Sequence, residues 1–140
     1  MSLEPQQIAA EADRCVKCGL CLPACPTGAL IAPGVLDATR CLAYWTQTPG
    51  IIPAELRVAM GDRVYGCDDC QLVCPWNRFS SPHNESAFEP HPDLLSMDRK
   101  DWIELTEEVF KEVFKYSAVK RTKYRGLKRN IRFLVEELRS

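Results

Sequence analysis

Eight cysteines are arranged in two runs and one isolated position in this chain of 140 residues. The first run has cysteines at positions 15, 18, 21 and 25, with a proline at position 26. The second has cysteines at 67, 70 and 74, with a proline at 75. Thiolates bind iron and zinc strongly, so the pattern predicts metal chemistry. We assign no catalytic residue to the chain.

The spacing of the first run discriminates between metals. Two C-x-x-C pairs can form a tetrahedral zinc site. Spacings of two, two and three residues, followed by proline, are instead typical of bacterial two-cluster ferredoxins, whose fourth cysteine binds the other cluster. Proline fixes φ and leaves no N–H to satisfy where the chain leaves the loop. A zinc site and structural disulfides are the alternatives to two clusters.

The second run lacks one thiol, and Cys41 can supply it. Three residues before Cys67 the chain has Val64 rather than cysteine. With Cys41 as the missing ligand, every cysteine is used and residues 42–66 become an insertion within the second motif. Crossed ligation then predicts two [4Fe–4S] clusters. The first is assigned to Cys15, Cys18, Cys21 and Cys74, and the second to Cys25, Cys41, Cys67 and Cys70.

The elements that position these loops are predicted to be mainly helical, in an α+β fold. We expect a bacterial two-cluster ferredoxin-like domain at residues 1–79, with a helical insertion at 42–66. A Ser- and Pro-rich linker follows at 80–93, and a basic helical segment at 94–140. Within the insertion, the pattern predicts a helix that begins at Pro53 and ends at Gly61.

Two amphipathic helices are predicted in the C-terminal segment. The first is capped by Thr106, and its apolar face consists of Val109, Phe110, Val113 and Phe114. The second runs from about residue 126 to residue 138, and its apolar stripe consists of Leu127, Ile131, Leu134 and Leu138. Both apolar faces are expected to be buried in the core.

Charge is unevenly distributed, although the formal net charge is only −1. Residues 113–135 hold eight of the 18 Lys and Arg and no Asp or Glu, which leaves ten basic and 19 acidic residues, or −9, elsewhere. The basic positions of the second helix are predicted nearly opposite its apolar stripe, at Arg125, Lys128, Arg129 and Arg132. A stripe of one sign favours a polyanionic partner over a merely solvated face.

No apolar run in the sequence reaches the length of a bilayer-spanning helix, and residues 1–14 lack the apolar centre of a signal peptide. We therefore expect a cytoplasmic protein without a membrane partner. Thiols stay reduced in that compartment, which favours metal ligation over disulfides.

Three stretches together resemble the iron–sulfur region and the following basic helix of the epoxyqueuosine reductases. They are CLPACPTGALIAPGVLDATRC, GDRVYGCDDCQLVCPWNRF and SAVKRTKYRGLKRN. The resemblance extends from about Cys15 to Asn130, and YGCDDCQ with the displaced Cys41 is more specific than a ferredoxin motif. It implies a cobalamin-dependent reductase that removes the epoxide oxygen in the last step of queuosine synthesis, at the wobble base of tRNA.

The resemblance also implies cofactors and partners. Two clusters would pass electrons to cobalamin, which a separate domain or subunit would hold, because in the family a cobalamin-binding domain precedes the first motif. An electron donor such as flavodoxin or ferredoxin would reduce the clusters. The chain alone is expected neither to bind cobalamin nor to turn over epoxyqueuosine. The tRNA would contact the basic segment, at Lys120, Arg121, Arg125, Lys128, Arg129 and Arg132.

The opening of the chain, MSLEPQQIAAEADRCVKCGLCLP, is also similar to iron–sulfur subunits of glycolate-oxidase-type enzymes. A second hypothesis is therefore a stand-alone two-cluster ferredoxin-like electron carrier, whose basic tail docks an acidic partner protein. Affinity for nucleic acid discriminates between the two hypotheses, because a carrier gains little from it.

Overall fold

The computed structural model describes residue 15 and residues 17–137. This part of the chain is mainly helical, as predicted, with one antiparallel pair of strands, β1 (Leu30–Ala32) and β2 (Val35–Leu36). The helices are α1 (Cys21–Ala24), α2 (Leu42–Gln47), α3 (Ala54–Met60), α4 (Asp69–Leu72), α5 (Pro92–Ser96), α6 (Arg99–Ile103), α7 (Glu107–Val113) and α8 (Lys123–Glu137). Short 3₁₀ turns lie at Ala38–Arg40, Pro75–Phe79, Ser86–Phe88 and Ala118–Thr122.

The segment predicted to be an insertion, residues 42–66, contains α2 and α3. The helix predicted to begin at Pro53 is present as α3, which begins one residue later with Pro53 as its N-cap. Gly61 ends it with φ at +52°, a left-handed value that glycine adopts without strain. Apolar side chains of the two helices and their connection form a small core, which we call the insertion core. It consists of Leu42, Ile52, Leu56 and Met60.

The helix predicted after Thr106 is present as α7. Thr106 Oγ1 accepts the N–H of Val109 at 3.3 Å, so the threonine caps the helix as expected. Phe110, Val113 and Phe114 are buried. Val109 is 43% exposed instead, because it lies roughly 90° around the helix from the centre of the buried stripe.

The last predicted helix is present as α8, which begins at Lys123, three residues earlier than expected. Of its apolar stripe, Leu127 and Ile131 are buried and Leu134 is half-buried, while Leu138 lies outside the described residues. A second core, the C-terminal core, forms between α7, α8 and the chain before α7. It consists of Leu105, Phe110, Val113, Phe114, Leu127 and Ile131.

The cysteine loops contribute little to either core. Within residues 17–40 and 67–80, Ala29 is the one hydrophobic side chain that is buried. The loops are therefore held by turns and hydrogen bonds rather than by apolar packing. Among the helices described, none combines the length and the apolar character needed to cross a bilayer.

Gly126 in α8 gives a first testable prediction. A Cβ at this position would lie 2.6 Å from Cγ2 of the buried Thr122. Alanine improves helix propensity by about 1 kcal/mol, but overpacking a filled site costs about 1–3 kcal/mol. We expect Gly126→Ala to lower the free energy of unfolding by about 1 kcal/mol net in denaturant titrations.

The control for Gly126→Ala is the same substitution in a Thr122→Ala background. Removing the threonine side chain removes the clash, so there Gly126→Ala is expected to raise stability through helix propensity. A stabilising effect of Gly126→Ala in the otherwise unchanged chain would contradict the overpacking argument.

Candidate metal centre

Helices α1 and α4 contact each other and bring the two cysteine runs together. Cys21 begins α1, and Cys70 lies in α4. The pKa of Cys70 is raised, first by burial and then by the negative charges of Cys67, Cys25 and Cys21. Four thiols from both runs therefore lie within electrostatic reach, and bound iron would relieve their mutual repulsion.

A second contact between the runs lies near Cys18. The N–H of Cys18 donates to the carbonyl of Cys15 at 3.1 Å, which makes the start of the first run a tight turn. Cys18 also shares an open cleft of about 250 Å³ with Pro75, the residue after Cys74. Thus Cys18 of the first run faces the end of the second run, the proximity that crossed ligation requires.

The loop after α1 is shaped to favour a thiolate at Cys25. The N–H of Ala29 donates to its Sγ at 3.2 Å, and Thr27 Oγ1 lies 3.6 Å from the sulfur. Burial alone would raise the pKa of Cys25, but hydrogen bonds from Thr27, Leu30 and Ala29 outweigh it and lower the pKa. Hydrogen bonds to ligand sulfurs are also one determinant of the potential of a cluster.

Arg40, the residue before Cys41, binds the loop that contains Cys25. Its Nη2 donates to the carbonyl of Thr27 at 2.7 Å. The next residue, Cys41, occupies the N-cap position of α2. The isolated cysteine therefore lies directly after a contact with the loop of Cys25, its predicted partner in the second cluster.

Thr46 connects α2 to the second run. Its fully buried Oγ1 donates to the carbonyl of Leu42 and accepts the N–H of Gly66, both at 2.9 Å. Gly66 has φ at +73°, so the chain turns here in a conformation that few other residues adopt. Cys67 is the next residue, and its partly buried side chain packs against the insertion core. Helix α2 thus contacts the chain beside Cys67, and its N-cap residue is Cys41.

Arg63 is a charged neighbour of Cys67 that the sequence analysis did not single out. Its Nη2 donates to both carboxylate oxygens of Asp69 at 2.6 and 2.7 Å, and its Nη1 donates to the carbonyl of Met60 at 3.0 Å. The pKa of Arg63 is raised, first by the hydrogen bond to Asp69 and further by the charges of Asp69 and Cys67. Arg63 thus holds a positive charge beside Cys67, and its ion pair with Asp69 fixes the position of that charge.

The residues present fit iron–sulfur clusters. Six of the eight thiols lie within residues 17–40 and 67–80, which bury little apolar surface, and such loops gain order when a metal group binds. Within residue 15 and residues 17–137, no three His, Cys, Asp or Glu side chains lie close enough together to hold a single metal ion.

The structure divides the six predicted RNA-binding residues into two groups. Four are exposed: Lys120, Arg121, Arg125 and Arg132. Lys128 is half-buried, and its Nζ donates to the carbonyls of Ile103 and Leu105 at 2.6 and 3.0 Å. Arg129 is half-buried too. Contact of any of these residues with RNA stays a prediction.

Arg129 differs most from the prediction of an exposed basic stripe, because all five of its N–H groups donate hydrogen bonds within the chain. Nη1 donates to the carbonyls of Thr48 and Gly50 at 2.9 and 2.6 Å, and Nη2 donates to that of Trp45 at 3.0 Å. Nε and Nη2 also donate to Oδ1 of Asn130 at 3.0 and 2.9 Å. Burial lowers the pKa of Arg129. Its side chain binds the end of α2 and has no donor left for a phosphate.

Residues 14–77 match the family model described as a 4Fe-4S double cluster binding domain. The chain is 56% identical over 123 residues to an epoxyqueuosine reductase of Cellulophaga algicola, an alignment that covers 87% of this chain and 40% of that protein. It therefore spans about two fifths of the length of this relative.

Two solved structures are similar to the described fold. One is an epoxyqueuosine reductase crystallised with an epoxyqueuosine-modified tRNA-Tyr stem loop, with a TM-score of 0.77 and 39% identity, covering 86% of this chain and 32% of that chain. The other is an epoxyqueuosine reductase from Streptococcus thermophilus, with a TM-score of 0.79 and 34% identity, covering 100% of this chain and 36% of that chain.

Proposed function

Because this chain belongs to the epoxyqueuosine reductase family over most of its own length, we propose that it is the iron–sulfur, electron-transfer portion of such a reductase. It holds two [4Fe–4S] clusters in a two-cluster ferredoxin-like arrangement. In this role it acts in the cytoplasm, in queuosine biosynthesis on tRNA.

The observation that carries this proposal is the approach of the two cysteine runs across α1 and α4. The charges of Cys21, Cys25 and Cys67 all act on Cys70, and the Arg40 contact returns the chain to the Cys25 loop just before the isolated cysteine. These contacts support the crossed assignment. The first cluster is held by Cys15, Cys18, Cys21 and Cys74, and the second by Cys25, Cys41, Cys67 and Cys70.

A bound [4Fe–4S] cluster supplies one-electron transfer. The protein contributes the thiolates and the groups that stabilise them. Near the second cluster these groups are the N–H of Ala29, the hydroxyl of Thr27 and the guanidinium of Arg63. Hydrogen bonds and a fixed positive charge both favour the more negative, reduced state of a cluster.

The proposed partners follow from the family resemblance of the sequence. Cobalamin is held by a separate domain or subunit, and a flavodoxin or ferredoxin delivers electrons to the clusters. A tRNA stem loop is bound in one of the similar solved structures. We propose that tRNA contacts this chain through four exposed basic residues of the C-terminal segment, namely Lys120, Arg121, Arg125 and Arg132.

Metal content tests the proposal directly. Two cubanes contain eight iron and eight sulfide ions, so anaerobically purified protein is expected to contain about eight of each per chain. Iron, sulfide and zinc are measured on the same preparation. Zinc bound without sulfide would contradict the cluster assignment and support a site of four thiolates.

A further inference from the structure

Asn130 is a fully buried polar residue on α8, next to Arg129 and far from any cysteine in the sequence. Its Nδ2 donates to the carbonyl of Thr46 at 2.9 Å and to that of Val64 at 2.8 Å. Its Oδ1 accepts two N–H groups of Arg129. One amide side chain therefore joins α8 to α2 and to the chain just before Cys67.

Arg129 completes this junction at the end of α2. Its three carbonyl partners, on Trp45, Thr48 and Gly50, belong to the last turn of α2 and the residues after it. The carbonyl of Trp45 lies in the last turn, where carbonyls have no partner within the helix and carry the negative end of its dipole. The carbonyls of Thr48 and Gly50 lie in the chain after the helix. The planar guanidinium can bind several of them at once, whereas the ammonium of a lysine acts as a compact point charge.

The two segments joined in this way lead to two predicted ligands of one cluster. Cys41 is the N-cap residue of α2, and Cys67 directly follows the segment from Val64 to Gly66. Thr46 links them directly, since its carbonyl binds Asn130 and its Oγ1 binds the N–H of Gly66. The two predicted ligands flank the insertion at residues 42–66, and the insertion closes on itself through this network.

We propose that Arg129 and Asn130 are positioning residues for the second cluster, which hold Cys41 and Cys67 at the spacing that one cluster requires. This inference rests on the proposed function, because it presupposes two clusters. It assigns a structural role at a metal site to a basic helix that the sequence associates only with polyanions. Residues that support metal ligands typically affect metal affinity by about 10–100-fold.

The test is the rate at which a chelator removes iron from anaerobically purified protein. Arg129→Lys keeps the positive charge but loses the planar guanidinium. In this variant the chelator is expected to remove half of the iron at least about 10-fold faster than from the unchanged protein. The other half is expected to leave at the unchanged rate. The electron paramagnetic resonance spectrum of the reduced, partly depleted protein should match that of Cys67→Ser and differ from that of Cys15→Ser.

Arg99→Lys is the matched control, because it makes the same change at an exposed arginine of α6 that takes no part in this network. It is expected to leave both rates unchanged. Thr46→Val is a second variant, which keeps the shape of the side chain but removes the acceptor for the Gly66 N–H. It is expected to accelerate loss of the same half of the iron as Arg129→Lys.

Three outcomes are decisive. Unchanged iron release in both Arg129→Lys and Thr46→Val would overturn the positioning role. Equal acceleration for both halves of the iron would also overturn it, because the contacts would then act on folding as a whole. Unchanged protein that contains no sulfide would instead contradict the proposed function, so the two failures are distinguishable.

Discussion

Cys41→Ala is expected to remove the same cluster that Cys25→Ala removes, and to retain the cluster that Cys15→Ala removes. Iron and sulfide should fall in each variant from about eight to about four ions per chain. The physical reason is that a cubane with three thiolate ligands in an open loop has lost a quarter of its covalent attachment to the protein. Few apolar contacts exist in these loops to compensate.

The measurement combines metal analysis with electron paramagnetic resonance of the reduced variants. Cys25→Ala and Cys15→Ala serve as controls for each other, since each should leave the spectrum of one cluster. Cys41→Ala with both clusters intact would remove Cys41 from the ligand set. A Cys41→Ala spectrum equal to that of Cys15→Ala would keep it as a ligand but reverse the assignment of clusters.

Metal binding by each cysteine run could be predicted from the sequence alone, because it depends on the local spacing of the ligands. The assignment of Cys41 depended on counting thiols, and the contact of Arg40 with the loop of Cys25 now supports it. The cap of α7 and the apolar faces of α7 and α8 were also predictable, because each depends on residues within one or two turns. Among the described residues of these apolar faces, Val109 alone is exposed.

The network around Asn130 could not be predicted, because its contacts join distant parts of the chain. Asn130 binds the carbonyls of residues 84 and 66 positions earlier, and Thr46 binds an N–H 20 positions later. A helical wheel places Arg129 opposite the apolar stripe. It does not reveal that α8 has a second packed side, where the guanidinium meets the end of α2.

Of the six predicted RNA-binding residues, four are exposed and two are packed within the chain, and this changes the expected interaction with RNA. Outside residues 113–135 the chain carries −9, and each oxidised cluster with four thiolates adds a net charge of about −2 when bound. The cluster region should therefore repel nucleic acid. Attraction must come from the exposed basic residues of the C-terminal segment, and Arg129 contributes charge there but no hydrogen bond to phosphate.

The affinity for an RNA hairpin is accordingly expected to fall steeply with salt. If Lys120, Arg121, Arg125 and Arg132 together neutralise about four phosphates, log affinity should fall with log salt at a slope of roughly −3. Each of these charges that is removed should reduce the slope by roughly 0.7 to 0.9. The weakening should be similar for all sequences, because phosphate contacts carry no base information.

The decisive comparison is between Arg125→Gln with Arg132→Gln and the control Arg99→Gln. All three arginines are exposed, but Arg99 lies in α6, outside residues 113–135, the stretch that has no Asp or Glu. The first two substitutions together should reduce the slope by roughly 1.5, whereas Arg99→Gln should leave it unchanged. A flat salt dependence, or an equal slope in all variants, would refute RNA docking by this helix. That result would favour the two-cluster ferredoxin-like carrier, whose basic face binds an acidic protein instead.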